Sequence, residues 1–167
     1  MAAYDFSIVT DTEQQKQLFG LTREYGLLMR TFYGGIWREG QFIDLMKSAH
    51  LYVVMYEQEV VGYSWVNMFN GRSAVLHVCL FPSAPRGRRI EMGKAFLKYL
   101  LFSKDENGEY YRDSLVGLVP ETHRHVEIFG LSIGMNHIGC IPAGVNIMGE
   151  AVDLAILTVT REDLMEG

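Results

Sequence analysis

The chain is expected to form one mixed α/β domain over residues 1–167, a central mixed β-sheet flanked by helices. Three observations predict this. Strand-patterned and helix-patterned segments alternate along the whole length, with no linker, repeat or low-complexity tract to divide them. The stretch LVGLV at 115–119 is short and wholly apolar, as strands buried on both faces are. Composition is 49% apolar and 21% charged over 167 residues, which suits a single globular core and is short for two.

The elements follow in order. YDFSIVT alternates Tyr4, Phe6 and Ile8 against polar neighbours, a strand pattern. Asp11 then caps a helix running from Thr12 to about Arg30, with Glu13 in its first turn. The paired glycines of FYGGIWREG break that helix, and a shorter one covers Gln41 to Ala49. LYVVMYEQEVVGYSWVNMF reads as a hairpin turning near Gln58, and a strand at 74–81 follows the turn NGRS. Its aromatic run, Tyr52 to Phe69, is read as packing a sheet face.

Beyond a basic loop, Met92, Ala95, Phe96, Tyr99 and Leu100 make one apolar stripe at the helical period. KDENGEYYRD is a polar surface loop before the strand at 115–119. THRHVEIFGLSIG suits a helix ending at Gly134, a residue able to take the left-handed cap. AVDLAILTVT at 151–160 closes the chain as a long strand.

A net charge of −5 argues against general affinity for nucleic acid. No apolar run approaches the roughly 20 residues of a membrane span, and MAAYDFSIVTDTEQQ has neither the basic nor the apolar part of a secretory signal. A soluble cytoplasmic protein is expected. Cys79 and Cys140 lie in apolar strand-like runs and are read as buried free thiols.

The charge is unevenly spread. Arg86, Arg88, Arg89, Lys94 and Lys98 face Glu91 alone where a strand passes into a helix. Such a cluster is either a solvated helix face or an anion site. A helix N-terminus carries unpaired N–H groups and about half a positive charge. Glycines such as Gly87 and Gly93 let backbone approach a phosphate, and arginines grip its oxygens in pairs.

That element order, with its basic loop after the fourth strand, resembles the GNAT superfamily of acyl-CoA-dependent N-acyltransferases over nearly the whole chain. The family's motif, roughly Gln/Arg-x-x-Gly-x-Gly/Ala, is best matched by Arg88-Arg89-Ile90-Glu91-Met92-Gly93. VPETHRHVEIFGLSIGMNHIG resembles the family's next strand and its Asn-x-x-Ala-x-x-x-Tyr helix, with Thr122, His125 and Phe129 at the three named places. NIMGEAVDLAILTVTRED is similar to the last hairpin. More weakly, the chain is similar to a divergent GNAT-like group encoded by tailed phages, in which the first motif glycine is often missing.

The resemblance implies a fourth and fifth strand that splay apart, with the pantetheine arm of acetyl-CoA between them. These are the strands around His77–Leu80 and at 115–119. It implies cofactor contacts from Arg86, Gly87, Arg88, Arg89, Met92, Gly93 and Lys94, and a thioester oriented by Cys79 and Leu80 backbone. It places Tyr33 and Trp37 on the acceptor side, with an amine as acceptor and a homodimer as the assembly.

Three departures thin the chemistry. Glu91 replaces the first motif glycine and competes with phosphate for the helix field. Phe129 keeps the shape of the family's tyrosine and has no proton to give. The fourth strand has no carboxylate, so His77, with an ordinary pKa near 6.5, is the one titratable candidate for a base. A lone histidine in an apolar strand is otherwise a structural residue.

Other chemistry is not expected. His123 and His125 lack the three or four converging partners zinc requires, so no metal is predicted. There is no hydrolase elbow and no Gly-Lys-Ser/Thr phosphate loop. Two functions stand: a CoA-dependent N-acyltransferase, or a catalytically silent GNAT-like binding or structural protein.

Overall fold

The computed structural model describes residues 3–165. Seven strands form one mixed sheet in the order β1-β2-β3-β4-β5-β7-β6. They are β1 (Tyr4–Ile8), β2 (His50–Tyr56), β3 (Glu59–Asn70), β4 (Ser73–Leu80), β5 (Ser114–Pro120), β6 (Asn136–Ile147) and β7 (Glu150–Thr160). The helices are α1 (Thr12–Glu24), α2 (Leu28–Phe32), α3 (Glu39–Met46), α4 (Arg89–Phe102), α5 (Arg124–Ser132) and α6 (Arg161–Met165). The predicted α/β class and strand order hold; α2 and α6 were not expected as separate helices. The chain falls into two compact units, one of residues up to Asn67 with His77–Arg86, the other of Met68–Leu76 with residues from Gly87 onward.

In the first unit, Asp11 caps α1 by accepting from the Gln14 N–H at 3.2 Å. Gln15, Leu18, Phe19 and Thr22 are its buried face, a helical repeat. The helix does not run to Arg30. Gly26, at φ +69°, ends it: its N–H bonds Arg23 O and the Leu27 N–H bonds Thr22 O, the paired bonds of a Schellman cap. The short α2 follows, closed by Tyr33 at φ +54°. α3 starts two residues before its predicted place because Gln41 Oε1 accepts from the N–H groups of Trp37 and Arg38, at 2.9 and 3.0 Å.

The β2–β3 hairpin turns at Glu57 and Gln58, both with positive φ, which gives the twist a two-residue turn needs. Phe19, Phe42, Tyr63 and Phe81 are fully buried in this unit's core. Tyr52, Tyr63 and Trp65 of the aromatic run are buried as well, whereas Phe69 is exposed. Phe42 meets Phe19, Phe32 and Tyr63 at centroid distances of 5.8, 5.9 and 5.8 Å.

In the second unit, α4 buries Met92, Phe96, Leu97, Leu100 and Leu101. The predicted stripe is therefore shifted: Ala95 and Tyr99 are half-buried, and Leu97 and Leu101 take their place. α5 ends at Gly134 as expected, at φ +113°, with the Met135 N–H bonded to Gly130 O. β5 pairs antiparallel with β7 along its whole length, but parallel with β4 only at Ser73↔Ser114, Ala74↔Leu115 and Val75↔Val116. β6 pairs with β7 through two irregular steps and is exposed along most of its length. Cys140 lies on it, so this thiol is exposed and not buried as predicted.

Candidate functional site

The basic junction is built by a strand end, a bend and a helix start. Past β4, Phe81 and Ala84 are buried and anchor the bend. Arg86–Arg88 form a 3₁₀ turn, and α4 begins at Arg89 with no side-chain cap. Arg86, Gly87, Arg88 and Lys94 are exposed and Arg89 is half-buried. Arg88 Nη1 donates to Glu91 Oε2 at 2.8 Å, both side chains being 56% exposed. The carboxylate at the missing-glycine place thus engages one of the arginines a phosphate would use.

Gly93 has a packing reason for being glycine. A Cβ there would lie 2.6 Å from Ile133 Cγ2 and 3.1 Å from Phe129 Cζ. Its bare backbone lets α4 and α5 close on each other, and Phe129 fills the space against it. Met92 is 2% exposed. Its side chain belongs to the core, leaving only its main chain to meet a ligand. Thr122 sits in a 3₁₀ turn, its hydroxyl 3.1 Å from His123 Nδ1, and His125 is exposed.

His77 lies on β4 against β3. Its imidazole stacks on Trp65 with centroids 4.6 Å apart and planes 6° from parallel. Nε2 is 2.8 Å from Asn67 Oδ1. Burial lowers its pKa to about 4, well under the 6.5 assumed from sequence, so the ring is neutral at pH 7.

Cys79 is buried beside a row of hydroxyls. Thr31 Oγ1 donates to its sulfur at 3.4 Å, Tyr63 bonds it, and Tyr63 Oη meets Thr22 Oγ1 at 2.8 Å. Thr22 passes its own hydrogen to Leu18 O at 2.7 Å. Burial raises the thiol's pKa, which keeps it protonated and inert. Gly62 brings β3 close here: a Cβ would stand 2.5 Å from Cys79 O and 3.1 Å from Leu80 Cα.

Of the two residues that the resemblance puts on an acceptor side, Tyr33 is partly buried, which raises its pKa, and Trp37 is 48% exposed. Phe32, next to Tyr33, packs on Trp65 at 5.5 Å. The structure thus adds Trp65 and Asn67 to His77, two residues the sequence reading did not single out for this role. Their alternation along β3 marked a common face, but only the ring stack and the hydrogen bond show which β4 residue they meet.

Outside that group, ligand atoms of Glu121, Cys140 and Asp153 lie within 4.8 Å of one another, all exposed. Cys140 donates to Glu121 at 3.7 Å, and Asp153 Oδ1 accepts from the Ala143 N–H at 2.7 Å, bracing the irregular step in β6. No helix among the described residues is long and apolar enough to cross a membrane.

Comparison with solved structures shows the GNAT acetyltransferase fold. Spermidine N-acetyltransferase from Vibrio cholerae, in complex with CoA and spermine, superposes with a TM-score of 0.77 at 13% identity, over 98% of each chain. The ribosomal L7/L12 alpha-N-protein acetyltransferase RimL, in complex with coenzyme A, gives 0.74 at 12% identity, over 96% of this chain and 95% of that one. A probable acetyltransferase gives 0.72 at 10%, over 96% and 94%. None of the curated proteins matches the chain in sequence. The family described as "Protein of unknown function (DUF2824)" matches residues 27–167, well over half of the sequence, and the chain belongs to that family.

Proposed function

We propose that the protein is an acyl-CoA-dependent N-acyltransferase that moves an acetyl group from acetyl-CoA to an amine. The observation that carries the reading is the basic 3₁₀ turn running into α4, in a fold shared with N-acetyltransferases over nearly the whole chain. In this reading Arg86, Arg88, Arg89 and Lys94, with Gly87 of the 3₁₀ turn and the backbone of α4 from its first turn to Gly93, take the pyrophosphate. The backbone of Cys79 and Leu80 orients the thioester, and Tyr33 and Trp37 contact the acceptor.

The amine nitrogen attacks the thioester carbonyl carbon. The C–N bond forms, the C–S bond breaks, and the proton lost from nitrogen ends on the CoA sulfur. Phe129 supplies no proton, and His77 at a pKa of about 4 is a weak base. Catalysis then rests on holding amine and thioester in line. No metal has a part in it. The cytoplasmic setting, the homodimer, the lack of nucleic-acid or membrane partners and the tailed-phage kinship rest on composition and resemblance.

A second reading, a catalytically silent GNAT-like binding or structural protein, is favoured by the Arg88–Glu91 pair and by Gly93 serving helix packing. Calorimetric titration with acetyl-CoA, with CoA as control, separates the two. Micromolar binding supports the transferase. No heat and no thermal stabilisation at millimolar ligand turns the search to protein partners.

A further inference from the structure

His77 is held at three points by β3. Ser64 Oγ donates to its main-chain oxygen at 2.5 Å, Trp65 lies flat against its ring, and Asn67 Oδ1 meets Nε2 at 2.8 Å. Ser64 and Trp65 are buried, Asn67 and His77 partly so, and all four belong to the first unit. An amide oxygen can only accept, so Nε2 carries the hydrogen and Nδ1 of the neutral ring keeps its lone pair. No hydrogen bond to Nδ1 is found among the described residues.

Trp65 sharpens the point. Its Nε1 is buried with no hydrogen-bond partner among the described residues. Leaving a buried donor unmet costs free energy. The indole is placed for its face and gives up its edge. An apolar ring at position 77 would fill the same space without the desolvation cost of an imidazole.

We propose that Asn67 is a positioning residue: it holds His77 as the Nε2–H tautomer, flat on Trp65, so that Nδ1 is the atom offered to the N–H of the acceptor amine. The inference rests on the acyl-transfer reading above and adds how the acceptor is oriented. One hydrogen bond from the amine to Nδ1 fixes the direction of the nitrogen's own lone pair before attack. The ring need not take a full proton.

The test is nitrogen-resolved NMR of His77 in the full chain, with benzylamine as probe in alkaline buffer and acetyl-CoA affinity measured in parallel. In the native chain His77 is expected to carry its hydrogen on Nε2, and its Nδ1 resonance to move on adding benzylamine. Asn67→Ala should lose the tautomer preference and weaken the benzylamine response roughly five- to tenfold. Asn67→Asp, which keeps the acceptor, should restore the tautomer. Acetyl-CoA affinity should be unchanged in both.

A native ring with its hydrogen on Nδ1, or an Asn67→Ala chain with unchanged tautomer and unchanged benzylamine response, overturns the inference. A chain that binds benzylamine as described but no acetyl-CoA overturns the transferase reading and leaves an amine site at His77.

Discussion

Arg88 and Glu91, one turn apart at the start of α4, form an exposed ion pair with a 2.8 Å hydrogen bond. A pair this exposed adds little stability, about 0–1 kcal/mol. It matters for an incoming anion, because a phosphate must take Arg88 from Glu91. Under the transferase reading, Arg88→Ala should weaken acetyl-CoA binding about tenfold or more, since a charge-assisted contact is lost. Glu91→Gln should strengthen it roughly three- to tenfold. Calorimetry reads both, and an unchanged affinity in the arginine variant would remove the proposed cradle.

Gly93→Ala tests whether that glycine serves packing. The new methyl would stand 2.6 Å from Ile133 Cγ2. Overpacking of this kind costs about 1–3 kcal/mol. The melting temperature should fall accordingly, and Gly93→Ala with Ile133→Ala should cost less than the two single changes added together. Strict additivity in that cycle would mean the two residues do not meet.

His77 gives stability a pH dependence of known sign. Its folded pKa is about 4, below the ordinary 6.5 of the unfolded chain. Between these values the unfolded state holds the extra proton, so stability falls as pH drops from 6.5 towards 4. At about 1.4 kcal/mol per pKa unit, the full window amounts to roughly 3 kcal/mol. His77→Gln should flatten the decline in melting temperature between pH 6.5 and 4.5. An equal slope in both proteins would mean the imidazole is not desolvated.

Gly26, at φ +69°, ends α1. Gly26→Ala should destabilise by about 1 kcal/mol, since a side chain there meets the left-handed penalty. That is about 2–4 °C in melting temperature for a chain of this size. A gain in stability, as from an alanine inside a continuous helix, would contradict the break between α1 and α2.

The two thiols should separate by accessibility. Cys140 is exposed and Cys79 buried. A disulfide reagent should titrate one thiol per native chain and two in denaturant. Two native equivalents would mean that Cys79 is reached in the folded state.

Period and punctuation placed most of the fold in view from residues alone. Alternation marked β1 and the β2–β3 hairpin, and the 3.6-residue repeat marked α4. Gly134 marked the end of α5 because few residues but glycine accept its backbone angle. The GNAT resemblance was legible because the order of elements and the arginine cluster are local features of the chain. Even the break at Gly26 carried a local signal, a glycine inside a helical pattern, although the pattern alone also fits one longer helix.

Tertiary packing decided the rest, because burial and partner choice depend on residues far apart in sequence. Cys79 and Cys140 stand in similar apolar runs, yet β4 lies within the sheet and β6 at its edge, so one thiol is buried and the other exposed. Gly93 reads as a phosphate glycine until Phe129 and Ile133 are found against it. His77 reads as a histidine of ordinary pKa until Trp65 and Asn67 close around it. In each case the residue type is written in the chain, and desolvation and contact by distant neighbours set what it can do.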